Sequence, residues 1–446
     1  METTKEINAS PTKEFFISML IRDITLNDAI GDLIDNSVDG ALSLRPNRDY
    51  KGLKISITAN ENSFAIEDNC GGITYKTAKE YAFRFGRTSD TPTINRSVGQ
   101  FGIGMKRALF KLGSFFEIES TSERESFKLI VDVDEWEKSP EWTFSFQNLN
   151  IKNIDDQDFP EHQRGTTIKV SRLNKEPEAR LGLQNFLNEL ALEIQLEHIK
   201  NIAQGLCIEI NGEKLSPPPL MIINTETFKP AYWEYEFDTG LKVKAIAGVS
   251  EDKLEYGGWY IFCNNRLILG PEQTITSGWG ARKPDTIPKY HGQYQRFRGY
   301  IYFESEDPSL LPWTTSKNNI IIDSLAYTYV RTNMIFLMRP IIDFLNQLHK
   351  EPSSGEPEEA PITTALNISE KISSPIDRVF EQSSNLPQTF TTSVQSSPVK
   401  REKETRISYY RKSNKVEIVK QFLGVTNAQD VGKQTFDYFF ENECEE

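Results

Sequence analysis

The strongest periodicity in the chain lies over residues 26–42. Leu26, Ala29, Ile30, Leu33, Ile34, Val38 and Ala41 recur at three- and four-residue steps, the apolar stripe of an amphipathic helix. Thr25 stands just before the stripe and Asp28 three residues on, the spacing of an N-cap and its reciprocal acid. Alternating segments follow. LKISITA and SFAIED predict a hairpin, and FFEIES, SFKLIVDV and TTIKVSR predict further strands. Helical period returns over Leu181–Ile199. A second strand set (LCIEI, LKVKAIAGV, GWYIFC, GYIYFE) runs into a long apolar helix near Tyr327–Leu348. This order, helices first, then an antiparallel sheet, then another α/β unit, predicts an α+β protein with two α+β domains in series, over residues 1–200 and 201–350.

Beyond residue 350 the pattern changes. Of residues 351–400, 21 are Ser, Thr or Pro and the apolar residues come singly, so 351–404 is read as a disordered linker. VEIVKQFLGV and TFDYFFENE restore helical spacing, which predicts a small helical module over 405–446, too short for a core of its own.

Composition narrows the function. The 446 residues carry 51 Lys+Arg against 64 Asp+Glu, a net charge of −13. That balance opposes a protein whose main surface grips a nucleic-acid backbone, which needs a basic field. A local contact stays open at Ala281–Tyr300, where basic residues interleave with aromatics, although a charged loop is the preferred reading. No stretch approaches the ~18 apolar residues of a membrane helix. Four scattered cysteines with no CxxC fit a reducing, cytoplasmic setting.

Four pieces carry candidate chemistry. The first helix has a second face with Asp28, Asp32, Asp35, Asn36 and Asp39, either a solvated surface or oxygen ligands for a hydrated Mg²⁺. Glu67-Asp68-Asn69-Cys70-Gly71-Gly72 sets a carboxylate beside a tight turn, suited to an exocyclic amine or simply a hairpin turn. Gly99-Gln100-Phe101-Gly102-Ile103-Gly104-Met105-Lys106 runs a flexible loop into a helix N-terminus, where free N–H groups favour phosphate. Arg164-Gly165-Thr166-Thr167 opens a strand.

In this order, DLIDNSVDGA, EDNCGGI, GQFGIGMKRALFKLG and RGTT resemble the Bergerat ATP-binding fold of the GHKL superfamily over roughly residues 15–175. The wording is most similar to MORC proteins and bacterial Hsp90-like relatives. The resemblance implies ATP and Mg²⁺ as cofactors. Asn36 matches the Mg²⁺ ligand, Asp68 the carboxylate that reads the adenine amine, and Gly72 the glycine that admits adenine. Gly99, Gly102 and Gly104, with the intervening Gln100, Phe101 and Ile103, match the lid that wraps the phosphates, and Gly86–Val98 the mobile lid segment. Lys106 matches a phosphate-side lysine and Thr166 the threonine that supports Asp68. The general base is usually a Glu four residues before the Asn. Here it is Asp32, with Asp35 ranked second. The shorter side chain sets the carboxylate back by roughly 1 Å, which can cost ~10²-fold in rate.

In the second domain, Asn264-Asn265-Arg266-Leu267-Ile268 resembles the turn of the transducer-like domain of these families. Leu311-Pro312-Trp313-Thr314-Thr315-Ser316-Lys317 resembles their phosphate-sensing loop, which makes Lys317 the candidate switch lysine beside a catalytic Asp32. The implied architecture is a Bergerat α/β sandwich, a transducer-like domain, a linker and a helical tail. The implied function is slow ATP hydrolysis driving a conformational switch. The family further implies an ATP-dependent homodimer paired through residues 1–15 and, by analogy, a place in bacterial defence or stress systems. The helical tail is the expected contact for an unidentified protein partner. A non-catalytic ATP-binding module and a DNA-associated clamp are the alternatives.

Overall fold

The structure, a computed structural model, describes residues 11–85, 104–153, 155–282, 286–352, 360–394 and 407–444. Residues 1–397 form one compact unit and 398–446 a second.

The first unit opens with α1 (Lys13–Arg22) and α2 (Leu26–Leu44). α2 forms where its stripe predicts, two residues longer. The Thr25 hydroxyl accepts from the Asp28 N–H while Asp28 accepts from the Thr25 N–H, a complete capping box whose loss costs about 1 kcal/mol. The hairpin β1 (Lys54–Ala59) and β2 (Ser63–Asp68) follows, then a short α3 (Tyr75–Thr77) continuing into a π-turn over Ala78–Ala82. Next come α4 (Gly104–Leu112), β3 (Gly113–Thr121), β4 (Glu125–Asp132), α5 (Val133–Lys138), β5 (Phe146–Ile151) and β6 (Gly165–Leu173). Three helices, α6 (Lys175–Leu181), α7 (Gln184–Glu197) and α8 (Ile199–Ala203), lead to β7 (Cys207–Ile210) and β8 (Glu213–Lys214).

These strands make one sheet in the order β5-β4-β3-β6-β2-β1-β7-β8, antiparallel except for β1 beside β7. Alternation decides its two faces. Ile55, Ile57, Phe64, Ile66, Ile118 and Ile168 turn toward Ile30, Leu33 and Ile34 of α2, while Lys54, Glu67, Glu119 and Lys169 face solvent. The result is a two-layer α/β sandwich. Truncating Leu33, which is 1% exposed, would cost about 2–5 kcal/mol.

LCIEI was expected to open the second strand set. It is β7 of the first sheet, because an alternating strand has no intrinsic sheet and joins the free edge beside it, here β1. The second sheet begins after two short strands, β9 (Met221–Ile222) and β10 (Phe228–Lys229). It contains β11 (Ala231–Glu236), β12 (Lys242–Val249), β13 (Gly258–Cys263), β14 (Arg266–Glu272) and β15 (Phe297–Glu304), in the order β11-β12-β15-β13-β14. It is mixed, since β13 and β15 run parallel. The long helix α9 (Leu325–Leu348) shares its core through Val330, Met334, Leu337, Met338 and Leu345.

The linker expectation for 351–404 fails over its described part, residues 360–394. That stretch holds α10 (Pro361–Glu370), β16 (Ser374–Pro375), α11 (Ile376–Glu381) and β17 (Thr391–Thr392). β16 pairs with β9 and β17 with β10. Ile362, Leu366, Ile376 and Val379 are buried, and Phe390 packs on Phe344. The Glu351 carboxylate accepts from the first N–H groups of α10 at 2.8 Å. Composition misled here because a segment that packs onto an existing core needs only a few well-placed apolar residues.

The second unit contains α12 (Ser413–Leu423) and α13 (Ala428–Glu443), ended and begun by Gly424 in the left-handed region and an Asn427 cap. Neither helix buries a residue, and Phe422 and Tyr438 are exposed. No described helix is long and apolar enough to cross a membrane.

Candidate functional site

The end of β2 and the middle of α2 meet at Asp68. One carboxylate oxygen accepts from the Ser37 hydroxyl at 2.7 Å, the other from the N–H groups of Cys70 at 2.9 Å and Thr166 at 3.3 Å. Strand register brings Thr166 there, directly opposite Asp68 across β2 and β6. Burial pushes the Asp68 carboxyl above its usual range, and the three hydrogen bonds only partly oppose the shift. Thr166 therefore supports Asp68 through its backbone, while its hydroxyl pairs with Ser120 at 3.0 Å. Ser120 also accepts from the Ile73 N–H at 2.7 Å, which anchors the turn beyond the glycines. Gly72 has φ +72°, and a Cβ there would sit 2.0 Å from the Thr121 carbonyl oxygen, so only glycine lets this turn lie against β3.

A second cluster lies nearer the start of α2. Asp32 and Asp35 are both buried, although the helix face carrying them has the composition of a solvated surface. Each is held by cations. Arg107 of α4 reaches one oxygen of Asp32 with Nε at 2.9 Å and Nη2 at 2.8 Å. Lys317 reaches the other Asp32 oxygen at 3.0 Å and Asp35 at 2.6 Å. Arg266 of β14 lies 3.4 Å from Asp35 and pairs with Glu197 of α7 at 3.0 Å. Gly104, the first residue of α4, lies so close that a Cβ would come within 3.0 Å of the Asp32 carboxylate. Asp32 thus stands at a helix N-terminus, where the dipole favours an anion.

Lys317 gets there from a tight loop. Trp313 bridges to Ile320, both side chains are buried in the second core, and the Thr314 N–H donates to the Asn319 carbonyl at 2.9 Å. Lys317 sits near the tip at φ +56°. Asn318 next to it donates to Asp28 at 3.2 Å, so the cap acid of α2 also contacts this loop.

The electrostatics of the cluster are coupled. Burial works to raise the Asp35 carboxyl, but Arg266, Lys317 and His198 outweigh it and hold the group below its usual range. Burial works to lower the Lys317 ammonium, and Asp35 and Asp32 more than offset it. Burial pushes Glu197 up to about 7 against the pull of Arg266, and pushes His198 down to about 4 against that of Asp35. His198 Nε2 and the second oxygen of Asp35 face each other at 3.6 Å, too far for a hydrogen bond.

The structure thus brings Asp32, Lys317 and Gly104 together at one corner and Asp68, Gly72 and Thr166 at another, with exposed Asn36 on the α2 turn between Asp32 and Ser37. Lys106 is placed differently from the phosphate-facing expectation. It is buried, and its ammonium donates to the Ala82 carbonyl at 2.8 Å. Gly99, Gln100, Phe101, Gly102, Ile103 and the segment Gly86–Val98 lie outside the described residues, as do residues 1–10 of the expected dimer strap. Asp35, ranked second as base, has one oxygen on Lys317 and Arg266 and is a structural anion. On the acidic face, Asp32 and Asp35 pair with cations instead of facing one another as ligands for a metal. No group of three or more His, Cys, Asp or Glu among the described residues is arranged to hold an ion.

Sequence reading missed Ser37, Ser120, Arg107, Glu197 and His198. Ser37 adjoins Asn36 and was within reach of it. The rest carry no local signal, because their partners lie far along the chain. Within Ala281–Tyr300, Arg282 and Lys289 are exposed, while Arg296 and Arg298 turn inward. Arg296 donates to the Ser250 carbonyl at 3.1 Å and to Glu370 at 3.0 Å, Arg298 donates to the Gln295 carbonyl at 2.7 Å, and Tyr294 and Tyr300 are buried.

Residues 24–166 match the family model described as histidine kinase-, DNA gyrase B-, and HSP90-like ATPase. No curated protein matches the chain. The matched span runs from the capping residues of α2 to the strand opposite Asp68, and so covers Asp32, Asp35, Asp68 and Arg107 but not Lys317 or Arg266. The chain therefore carries a GHKL-superfamily ATPase domain, followed by a second mixed sheet whose loop reaches back to it.

Proposed function

We propose that the protein is an ATP-dependent conformational switch in which the loop at Lys317 reports the state of the nucleotide site. One observation carries this reading. Lys317, from the second sheet's side of the unit, is buried against Asp32 and Asp35 at the N-terminus of α4. A triphosphate entering at that helix end brings an anion that competes with Asp32 for the same cations. Lys317 then has different partners with and without the γ-phosphate, the differential interaction any switch requires.

The residues suit the nucleotide. Asp68 is the acceptor for the adenine amine. Exposed Asn36, on the α2 turn between Asp32 and Ser37, is available to a Mg²⁺ held mainly by phosphate oxygens and water. That ion would neutralise charge on the phosphates. Asp32 is the candidate base, and it becomes available only when a cation leaves one of its oxygens. The exposed Phe15 and Met19 of α1 are apolar surface that a second copy would cover in an ATP-dependent dimer.

Steady-state ATPase and ATP binding on wild type, Asp32→Ala and Asn36→Ala test the reading. Binding in wild type, weakened in Asn36→Ala, is expected, with turnover in Asp32→Ala reduced to a small measurable residual level. Failure of the wild type to bind ATP sinks the reading. A second reading, ATP binding without turnover, is favoured by the engagement of both Asp32 oxygens by cations. Undetectable wild-type turnover with ATP bound would select it.

A further inference from the structure

Arg107 has a role that no motif announced. It follows Lys106 in the first turn of α4, yet the two neighbours do opposite things. Lys106 turns inward to the Ala82 carbonyl, whereas Arg107 turns to the site. Its guanidinium makes a two-nitrogen contact to a single oxygen, Oδ2 of Asp32, at 2.9 and 2.8 Å. Nη2 also donates to the Thr315 carbonyl of the Lys317 loop at 3.3 Å. The other oxygen, Oδ1, belongs to Lys317.

The two cations are thus divided between the two oxygens, and they differ in how they are held. Lys317 is on a loop tip and has two carboxylates to choose from, and it is the group a γ-phosphate would draw away. Arg107 is rooted in a helix, and its planar fork is pre-organised for a carboxylate. When Lys317 leaves Oδ1, Arg107 still holds Oδ2, and the freed oxygen keeps a defined direction. A short carboxylate needs that support more than a glutamate would, because it has no slack with which to find the water.

We propose that Arg107 is a positioning residue for ATP hydrolysis. It orients Asp32 through Oδ2 so that Oδ1 takes the proton from the attacking water. In that step the water oxygen bonds to the γ-phosphorus and the bond from γ-phosphorus to the bridging oxygen breaks. The water's proton passes to Oδ1, and ADP and phosphate leave. The contact to Thr315 makes the orientation depend on a docked sensor loop, which ties turnover to the arrangement of the second sheet. This inference rests on the ATPase reading above.

The test is a double-mutant cycle on the full chain, with steady-state ATPase and ATP binding by calorimetry on wild type, Arg107→Ala, Arg107→Lys, Asp32→Ala and the Arg107→Ala/Asp32→Ala pair. Misorientation of the base predicts a kcat about 10- to 100-fold lower in Arg107→Ala, with ATP affinity within about threefold of wild type. Arg107→Lys, which restores one charged contact, should recover part of the loss. In the Asp32→Ala background, Arg107→Ala should cost nothing further, because its effect passes through Asp32. Wild-type kcat in Arg107→Ala, or a full additional loss in the double variant, overturns the proposal while ATP binding stands. Absence of ATP binding in the wild type overturns the ATPase reading and this proposal together.

Discussion

The half-buried Asp68 contacts α2 through Ser37, the buried pair Asp32/Asp35 lies on α2 itself, and these carboxylates are held by different means. Asp68 takes three neutral donors, from Ser37, Cys70 and Thr166, all inside the ATPase domain. Asp32 and Asp35 take cations, and two of these, Lys317 and Arg266, come from the second sheet and its loop. The neutral corner is complete within one domain and has no reason to change when the other moves. The charged corner closes only when both parts are docked, and it is the one a second anion can disturb. A low local dielectric makes ion pairs strong, and makes a carboxylate stripped of its cation costly.

That contrast breaks most visibly at Lys317. Lys317→Ala leaves Asp32 with Arg107 alone and Asp35 with Arg266, and should lower stability by about 3–5 kcal/mol, read as a fall in the denaturation midpoint. An unchanged midpoint would mean that the charged corner contributes nothing to docking.

A smaller effect separates the corners by pH. The folded-state pKa of His198, about 4, lies below its ordinary 6.5. The unfolded chain therefore binds more protons between those values, and this contribution to stability is present above pH 6.5 and is lost as pH falls toward 4. Glu197 titrates in both proteins and drops out of a comparison. Relative to His198→Gln, the wild type should lose up to about 3 kcal/mol between pH 7.5 and 4.5. Parallel stability curves would contradict this.

The smallest effect belongs to the neutral corner. Ser37→Ala removes one neutral donor from Asp68, which keeps two N–H groups, so stability should fall by about 1 kcal/mol. ATP binding should weaken less than in Asn36→Ala. A larger loss than in Lys317→Ala would mean that the neutral corner holds the fold more tightly than the charged one.

Legibility in the sequence followed the range of the interactions. The capping box of α2 and the hairpin of β1 and β2 involve neighbours within 13 residues, and local spacing predicts them. Asp68, Gly72, Asn36 and Thr166 were legible because their motifs sit in a recognisable order along one domain. Burial of Asp32 and Asp35 was not, since an acidic helix face has one composition whether it meets water or Lys317, which lies 285 residues beyond Asp32. Arg107 carried no signal beside Lys106, because one step along a helix rotates a side chain by about 100°, and only packing decides which of the two meets the site. LCIEI and residues 360–394 were misplaced for a related reason: a strand or short helix shows its apolar residues but not the surface that receives them.

The amino-acid sequence by itself determined most of the elements before residue 350, the glycine turn after β2 and the order of the motifs, because these depend on backbone conformation and near neighbours. Only the tertiary structure decided which charges are buried and which cation holds which oxygen of Asp32. It also decided which sheet β7 joins. Those outcomes depend on desolvation and on contacts closed across hundreds of residues, and no local pattern encodes either.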